Sequence, residues 1–427
     1  MKTRYDVMVI GGGTAGVSAA IQAAREGADT LLVEKSERLG GTLTNACIAA
    51  PGLFHAWKKQ IIAGIGWELI CRSLAELDIP LPDFSTQDRF EHWRHQVSVN
   101  RDYFALLCDE AVQESGADVL LGTMCAKIEE TDAEKRVTIC TKEGLQEVCT
   151  KVLIDCTGDA NAVSIAGYPV VRGETYQPGT YFIRLGGYDF DTLDQEAILA
   201  AFRAEVAKGH FEAMDICWNV NEPDLSLLRS HGGNTSHIYI PGCRTETSEG
   251  KTVFTMEARI KLLHLIRFFR TQPGLEHLTV EQLAPECGVR ESVRIVGKKT
   301  VTGADYLAGT RYGDDVCYSF YPIDVHQHDG GGLKKIPLEE GIVPTIPRGA
   351  MLPQGSRNFL VAGRTVSADR DANSAMRVQA TCMAEGQAAG ALAVLAVRMG
   401  VDVEDVPMQA LYTVLKKHGA IVPDDAE

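Results

Sequence analysis

The stretch YDVMVIGGGTAGVSAAIQAAREGADTLLVE, residues 5 to 34, constrains the fold of this chain more than any other. An apolar run of strand length passes into Gly11, Gly13 and Gly16, then into a small-residue helical pattern, a turn at Gly27 and a second apolar run that ends on Glu34. The spacing is G-x-G-x-x-G at a strand-to-helix junction, which predicts a βαβ unit built to hold a dinucleotide. In such a unit the first glycine permits the tight turn, the second lets a pyrophosphate approach the backbone, and the third lets helix and strand pack closely. Phosphates then sit at the positive end of the helix. A carboxylate closing the second strand can accept hydrogen bonds from ribose hydroxyls and disfavours a 2′-phosphate, which is the role expected of Glu34.

Composition narrows the partners. With 45% hydrophobic and 23% charged residues the chain reads as a soluble globular protein. A formal net charge of -15 opposes a polyphosphate backbone and argues against nucleic acid. No apolar run is expected to reach membrane-spanning length. The N-terminal MKTRYDVMVI has the order of an export signal, but it runs directly into the glycine turn, so a cytoplasmic protein is expected. Twelve cysteines are present with no C-x-x-C pair, which gives neither a zinc nor an iron–sulfur ligand run.

Two distant segments complete the site. LIDCTGDA (153 to 160) is an apolar strand entering Thr157-Gly158-Asp159, and NFLVAGRTVSADRDANSAMRVQATCMAEGQAAGALAVLAV (358 to 397) is a strand, an Ala-Gly-Arg turn and a long small-residue helix. Together with GGTLTNACIAAPGLFHAWKKQIIAGIGWEL, RESVRIVG and YPIDVH, in that order, they resemble the FAD-dependent oxidoreductases of the glutathione-reductase type, whose broader relatives include fumarate reductase and ketosteroid dehydrogenase flavoproteins. The resemblance implies FAD as cofactor. It places Gly11, Gly13, Thr14, Ala15 and Gly16 at the pyrophosphate, Glu34 and Lys35 at the adenosine ribose, and Gly40, Gly41 and Thr42 on the way to the flavin. It sets Cys125 and Ala126 at the adenine, Gly158 and Asp159 on the next strand, and Gly363 and Arg364 at the closing turn. Ala380 and Thr381, at the start of the last helix, would aim amides at the flavin pyrimidine; plain helix packing explains the same small residues. Only one complete G-x-G-x-x-G is present, so a nicotinamide nucleotide, if used, would visit as a substrate.

The expected fold class is α/β: a Rossmann-like FAD-binding domain, discontinuous over 1–50, 100–168 and 346–400, with an inserted α+β substrate domain over 169–345. A helical, aromatic-rich insertion is expected over 51–99 and a C-terminal tail over 401–427. Ligand chemistry in such folds lies between the domains.

Four residues are candidates for the chemistry. Arg290 and Arg294, four apart, share a face on either a helix or a strand and could hold a carboxylate, although ion pairs with Glu286 and Glu291 account for them equally. Arg348 and Arg377 are weaker candidates of the same kind. In YPIDVHQHDGGG (321 to 332), strand alternation after Pro322 puts Asp324, His326 and His328 on one face. A metal triad, a polar loop and an active-site base all fit. A base is preferred, because flavin already supplies redox chemistry and histidine titrates near neutrality. His326, nearer the strand, is favoured over His328, and glycines 330 to 332 suit a moving lid. No metal is expected.

The expected activity is therefore hydride transfer between flavin N5 and a small polar CH–OH substrate: a sugar, polyol or hydroxy acid. Reduction of an activated C=C bond, with an arginine as acid, is the alternative. An electron-transfer subunit of a larger complex is a third reading, disfavoured by the missing iron–sulfur cysteines. The partner is a small molecule, with neither nucleic acid nor membrane, and self-association stays open.

Overall fold

The computed structural model describes residues 1–86, 92–131, 134–217, 223–234, 238–329 and 332–423; Gly330 and Gly331, two of the three lid glycines expected above, lie outside the described residues. The main sheet comprises β1 (Arg4–Ile10), β2 (Thr30–Val33), β3 (Asp118–Leu120), β4 (Met124–Glu130), β5 (Lys135–Thr141), β6 (Gly144–Asp155) and β7 (Phe359–Val361). Five of them run parallel in the order β3-β2-β1-β6-β7. The first half of β6 pairs antiparallel with β5, and β5 with β4. β6 serves both layers because its sequence changes character: GLQE is largely exposed, whereas VLID is buried on both faces, as a covered parallel strand must be. Strand alternation divides the sheet's side chains cleanly. Val7, Val9, Leu32, Ile154 and Leu360 enter one core, while Met8, Ile10, Leu31, Val33, Leu153 and Phe359 enter another on the opposite face.

Against the first face lie α1 (Thr14–Arg25) and α2 (Gln379–Met399). α2 carries Gly386 and Gly390 one turn apart on the side that meets α1. A Cβ built on Gly386 would lie 2.0 Å from Ala15 O, and one on Gly390 2.4 Å from Ala19 O, so the two backbones touch. The expectation that no segment reaches spanning length needs correction: α2 has 21 residues, and its most apolar 18-residue window has a mean hydropathy of 1.4. Its most apolar window is 89% buried, however, as in the core helix of a soluble protein.

The domain limits also differ from the sequence reading. Buried residues among those described between Tyr181 and Cys287, joined by Cys47, form a separate core that includes Tyr181, Phe202, Phe254 and Phe269 and is built around the helix Ser248–Phe269. Val301, Tyr306, Val316, Phe320, Ile323 and Leu338 instead enter the first core, so the end of the expected 169–345 insertion belongs to the main domain. So do Leu53, Phe54, Ile62 and Leu69 from the 51–99 segment, where Ile65–Ala75 is the sole α-helix among the described residues. Residues 401–423 are no loose tail. The helix Met408–Lys417 buries Leu411 and Leu415 in the first core, and Glu26 at the end of α1 is met by Arg398 (2.8 Å), Lys417 (2.7 Å) and His418 (2.7 Å).

Candidate functional site

The glycine turn after β1 is tight where packing demands it and open where a ligand would lie. Gly11 has φ +104 and sits against the Cys156 carbonyl, 2.4 Å from a built Cβ. Gly16 faces Gly11 O, 1.8 Å from a built Cβ, so helix and turn leave no room for a side chain. Gly13 is the opposite: its φ of -69 suits any residue, and a built Cβ would find nothing nearer than Gly41 Cα at 3.9 Å. That opening lies at the first turn of α1, where Thr14 and Ala15 follow, and is bordered by Gly40, whose N–H donates to Gly12 O (2.8 Å), and by Gly41. A pyrophosphate is the group that such a bare backbone cradle fits.

Glu34 holds this turn directly. Its buried carboxylate accepts the N–H of Gly12 (2.5 Å) and of Ser36 (2.8 Å), and its backbone carbonyl accepts Thr123 N–H (3.0 Å). The last contact brings the start of β4 alongside β2. There the register shifts between Cys125 and Lys127, which leaves Ala126 in a bulge without a ladder partner. Burial pushes the Cys125 thiol up to about 12. Lys35 is exposed, 3.7 Å from Glu286. Thr42 is exposed too, its carbonyl accepting Ile48 N–H (3.1 Å).

Behind the cradle, Arg364 ties three segments together. Its guanidinium donates to Gly158 O (2.7 Å), to Asp159 Oδ1 (2.8 Å) and to the Val289 carbonyl, so it braces the cradle rather than standing free for a ligand. Gly363 N–H donates to Glu385 Oε2 (2.7 Å), and burial pushes that carboxyl well above the usual range. Of the amides expected at the flavin, that of Ala380 is already engaged with Pro51 O (2.8 Å), while Thr381 uses its hydroxyl on Ser319 (3.0 Å). The start of α2 is thus fastened to the 42–51 loop, and Gln379 Nε2 adds a bond to Ile48 O (2.9 Å).

Arg377, just before α2, leads from the cradle to a buried polar cluster. Its Nη2 lies 3.4 Å from Gln177 Oε1 and 3.9 Å from Asp324 Oδ2. Asp324 and His326 sit two apart on the strand Ile323–His326, and their side chains meet at 3.3 Å. Burial opposes the Asp324 charge, yet His326, Arg377 and Arg290 hold its carboxyl down at about 2. Burial, and then the charge of Arg290, push His326 down to about 4. At neutral pH Asp324 is therefore ionised and His326 neutral, with Nε2 the ring nitrogen that faces Asp324. Tyr321 completes this corner, accepting from Gln96 Nε2 (3.0 Å), with His92 Nε2 at 3.3 Å.

The expected residues are only partly brought together. His328 lies past the strand end, its ring 4.9 Å from that of Tyr239, so the three-residue face of the sequence reading holds for Asp324 and His326 alone. Among the described residues no three His, Cys, Asp or Glu side chains converge as a metal would require. Arg290 and Arg294 part company: Arg294 pairs with Glu291 (3.0 Å), whereas Arg290 donates to Pro178 O (2.7 Å) beside Arg377 and Asp324. Arg348 bonds the Val406 carbonyl (2.6 Å), away from the cluster. Gln177, His92 and Gln96 carried no sequence signal, since Gln177 arrives from one segment and His92 and Gln96 from another. Tyr321 stood inside YPIDVH unremarked.

A family model described as FAD dependent oxidoreductase matches residues 6–415. Over 57 residues the chain is 51% identical to the dihydrolipoyl dehydrogenase of Bacillus subtilis (strain 168), a match covering 13% of this chain and 12% of that protein. Over 55 residues it is 49% identical to the fumarate reductase (cytochrome) of Shewanella frigidimarina, covering 13% of this chain and 9% of that protein. The matched stretches thus span a small part of either relative. Among solved structures, a geranylgeranyl bacteriochlorophyll reductase-like protein from Thermoplasma acidophilum aligns with 97% of this chain and 83% of its own, at 15% identity and TM-score 0.43. The p-nitrophenol 4-monooxygenase PnpA of Pseudomonas putida aligns with 98% and 87%, at 12% identity and TM-score 0.44.

Proposed function

Because the chain belongs to the FAD dependent oxidoreductase family, and its cofactor is accordingly FAD, we propose that it oxidises a CH–OH group of a small polar substrate, with His326 taking the hydroxyl proton. When bound, FAD supplies the acceptor for the hydride that leaves the carbinol carbon. The observation that carries the reading is the buried Asp324–His326 pair, at 3.3 Å. Asp324 orients the ring and stabilises the imidazolium that proton uptake creates. Arg377 and Gln177 hold this pair in place, and the bonds from Gln379 to Ile48 and from Ile48 to Thr42 join it to the glycine loop of the cofactor cradle.

The test is anaerobic bleaching of the purified yellow protein with a panel of sugars, polyols and hydroxy acids. Bleaching by a CH–OH compound, slowed in His326→Gln, supports the reading. A protein that no alcohol bleaches, but that an unsaturated acid reoxidises after chemical reduction, refutes it. That second outcome would favour C=C reduction, for which Arg290 is suited: burial and the charge of Arg377 push it down to about 9, nearer a proton donor's range.

A further inference from the structure

The buried cluster holds more positive charge than it neutralises. Arg290 and Arg377 face Asp324, which Arg377's guanidinium approaches no closer than 3.9 Å, with Glu291 acting on Arg377 more weakly. Next to them, Arg294 and Arg370 share Glu291 at 3.0 Å each, and Gln177 N–H bonds the same carboxylate (3.1 Å). Four donor atoms in this region are buried without a partner: Arg377 Nε, Arg294 Nε, Arg370 Nη2 and Gln177 Nε2. Such groups are normally satisfied, and a cation taken out of water needs a counter-ion. Gln177 and Arg294 are only 4% and 6% exposed, so bulk water does not meet the need. The donors come from the segments that carry Gln177, Arg290 to Arg294 and Arg370 to Arg377, and they flank the side of His326.

We propose that the substrate is a carboxylate anion, seated between Arg290, Arg377 and the Gln177 amide, so that the alcohol oxidised is a hydroxy acid and neither a neutral sugar nor a polyol. The proposal rests on the alcohol-oxidation reading for the reaction, whereas the anion site itself rests on the arginines and Gln177. A carboxylate offers two oxygens in one plane, which suits two guanidinium groups, and it supplies the missing negative charge. A polyol offers oxygen atoms without that charge and would leave the arginines as uncompensated as before. Burial is the main cause that holds His326 neutral and the Arg290 charge the second; the carboxylate would offset the second, so the bound substrate would make its own base stronger.

The FAD-loaded protein is titrated at constant ionic strength with oxalate, glycolate and malate, and with ethylene glycol and glycerol as neutral counterparts. The readouts are the flavin absorption spectrum and the thermal midpoint, neither of which needs turnover. Expected is a saturable spectral change and a raised midpoint with at least one carboxylate, absent with the neutral compounds at equal concentration. Arg290→Met and Arg377→Met should each weaken that binding about 10- to 100-fold, the effect of one lost hydrogen bond to a charged group. The proposal is overturned if no carboxylate perturbs the wild-type protein, if the neutral compounds bind equally well, or if carboxylate binding survives in both folded variants. Carboxylate binding with no bleaching by any hydroxy acid would leave the anion site standing and refute the alcohol-oxidation reading. Bleaching by a polyol without carboxylate binding would do the reverse.

Discussion

Gly13→Ala separates the cofactor role of the glycine turn from its structural role. Backbone strain does not arise, because φ is -69 at Gly13, and the new methyl group would meet nothing within the protein nearer than 3.9 Å. The folding cost should stay within about 1 kcal/mol, the upper range for replacing a residue at a helix N-cap that makes no side-chain bond. FAD, by contrast, loses the close approach of its pyrophosphate to the turn. Forfeiting two backbone bonds to a charged group costs about 3 to 6 kcal/mol, at roughly 1.5 to 3 each. Affinity should therefore fall by about 10² to 10⁴. The assay is titration of the stripped protein with FAD, followed by fluorescence quenching, alongside thermal unfolding of the same stripped protein. Gly16→Ala is the control with the opposite signature. Its Cβ would lie 1.8 Å from Gly11 O, so the stripped protein itself should lose about 1 to 3 kcal/mol or more. Wild-type FAD affinity in Gly13→Ala would refute the cradle, and so would a stripped protein destabilised as much as Gly16→Ala.

His326→Ala should give a folded yellow protein whose substrate-driven bleaching is slower by about 10² to 10⁴, while His328→Ala, beyond the strand end, should stay near wild type; stopped-flow absorbance reads both. Arg364→Met should cost about 3 to 5 kcal/mol in urea unfolding, because it strands Asp159 in the interior and releases Val289. Glu26→Gln should cost about 1 to 3 kcal/mol, less than a fully buried pair, since Arg398 and Lys417 are half exposed. Although burial raises the Glu26 carboxyl, Lys417, His418 and Arg398 hold it at about 2. Its contribution is thus present in full above the ordinary carboxylate range and lost as pH falls towards 2, a fading that Glu26→Gln should not show in thermal midpoints taken across acid pH. His326, held neutral by burial down to about 4, adds a separate acid lability: stability should begin to fall below about pH 6.5 and continue to about 4, and His326→Gln should flatten that slope.

The parts of the site that the sequence disclosed are those governed by local sterics. Gly11 and Gly16 are required by contacts with their own turn and the neighbouring strand, so their spacing alone exposes the fold. The Asp324–His326 pair follows from the two-residue period of a strand, but that period says nothing about where the strand stops, and His328 was wrongly included. Arg377 was undervalued because its position depends on the corner between the helices Arg370–Met376 and Gln379–Met399, a tertiary feature. Gln177, Gln96 and His92 converge from segments that share no pattern. The limits of the inserted core were misjudged for a related reason: an alternation of short strands and helices reads the same whichever core it enters, and Val301 to Leu338 enter the first.

The backbone contact of Gly386 and Gly390 with α1 also sets the order of assembly during synthesis. α1 leaves the ribosome early, yet the helix that covers Ala15 and Ala19 is made only after the whole intervening chain. Gly363, where a built Cβ would lie 3.5 Å from Ala15 Cβ, and Arg364, which bonds Gly158 and Asp159, arrive in that same late stretch. At about 5 to 20 residues per second the early βαβ unit waits tens of seconds with its apolar helix face uncovered. Capture of the flavin is consequently a terminal event of biosynthesis, and a nascent chain arrested before residue 358 should emerge with its dinucleotide turn present but unable to retain colour.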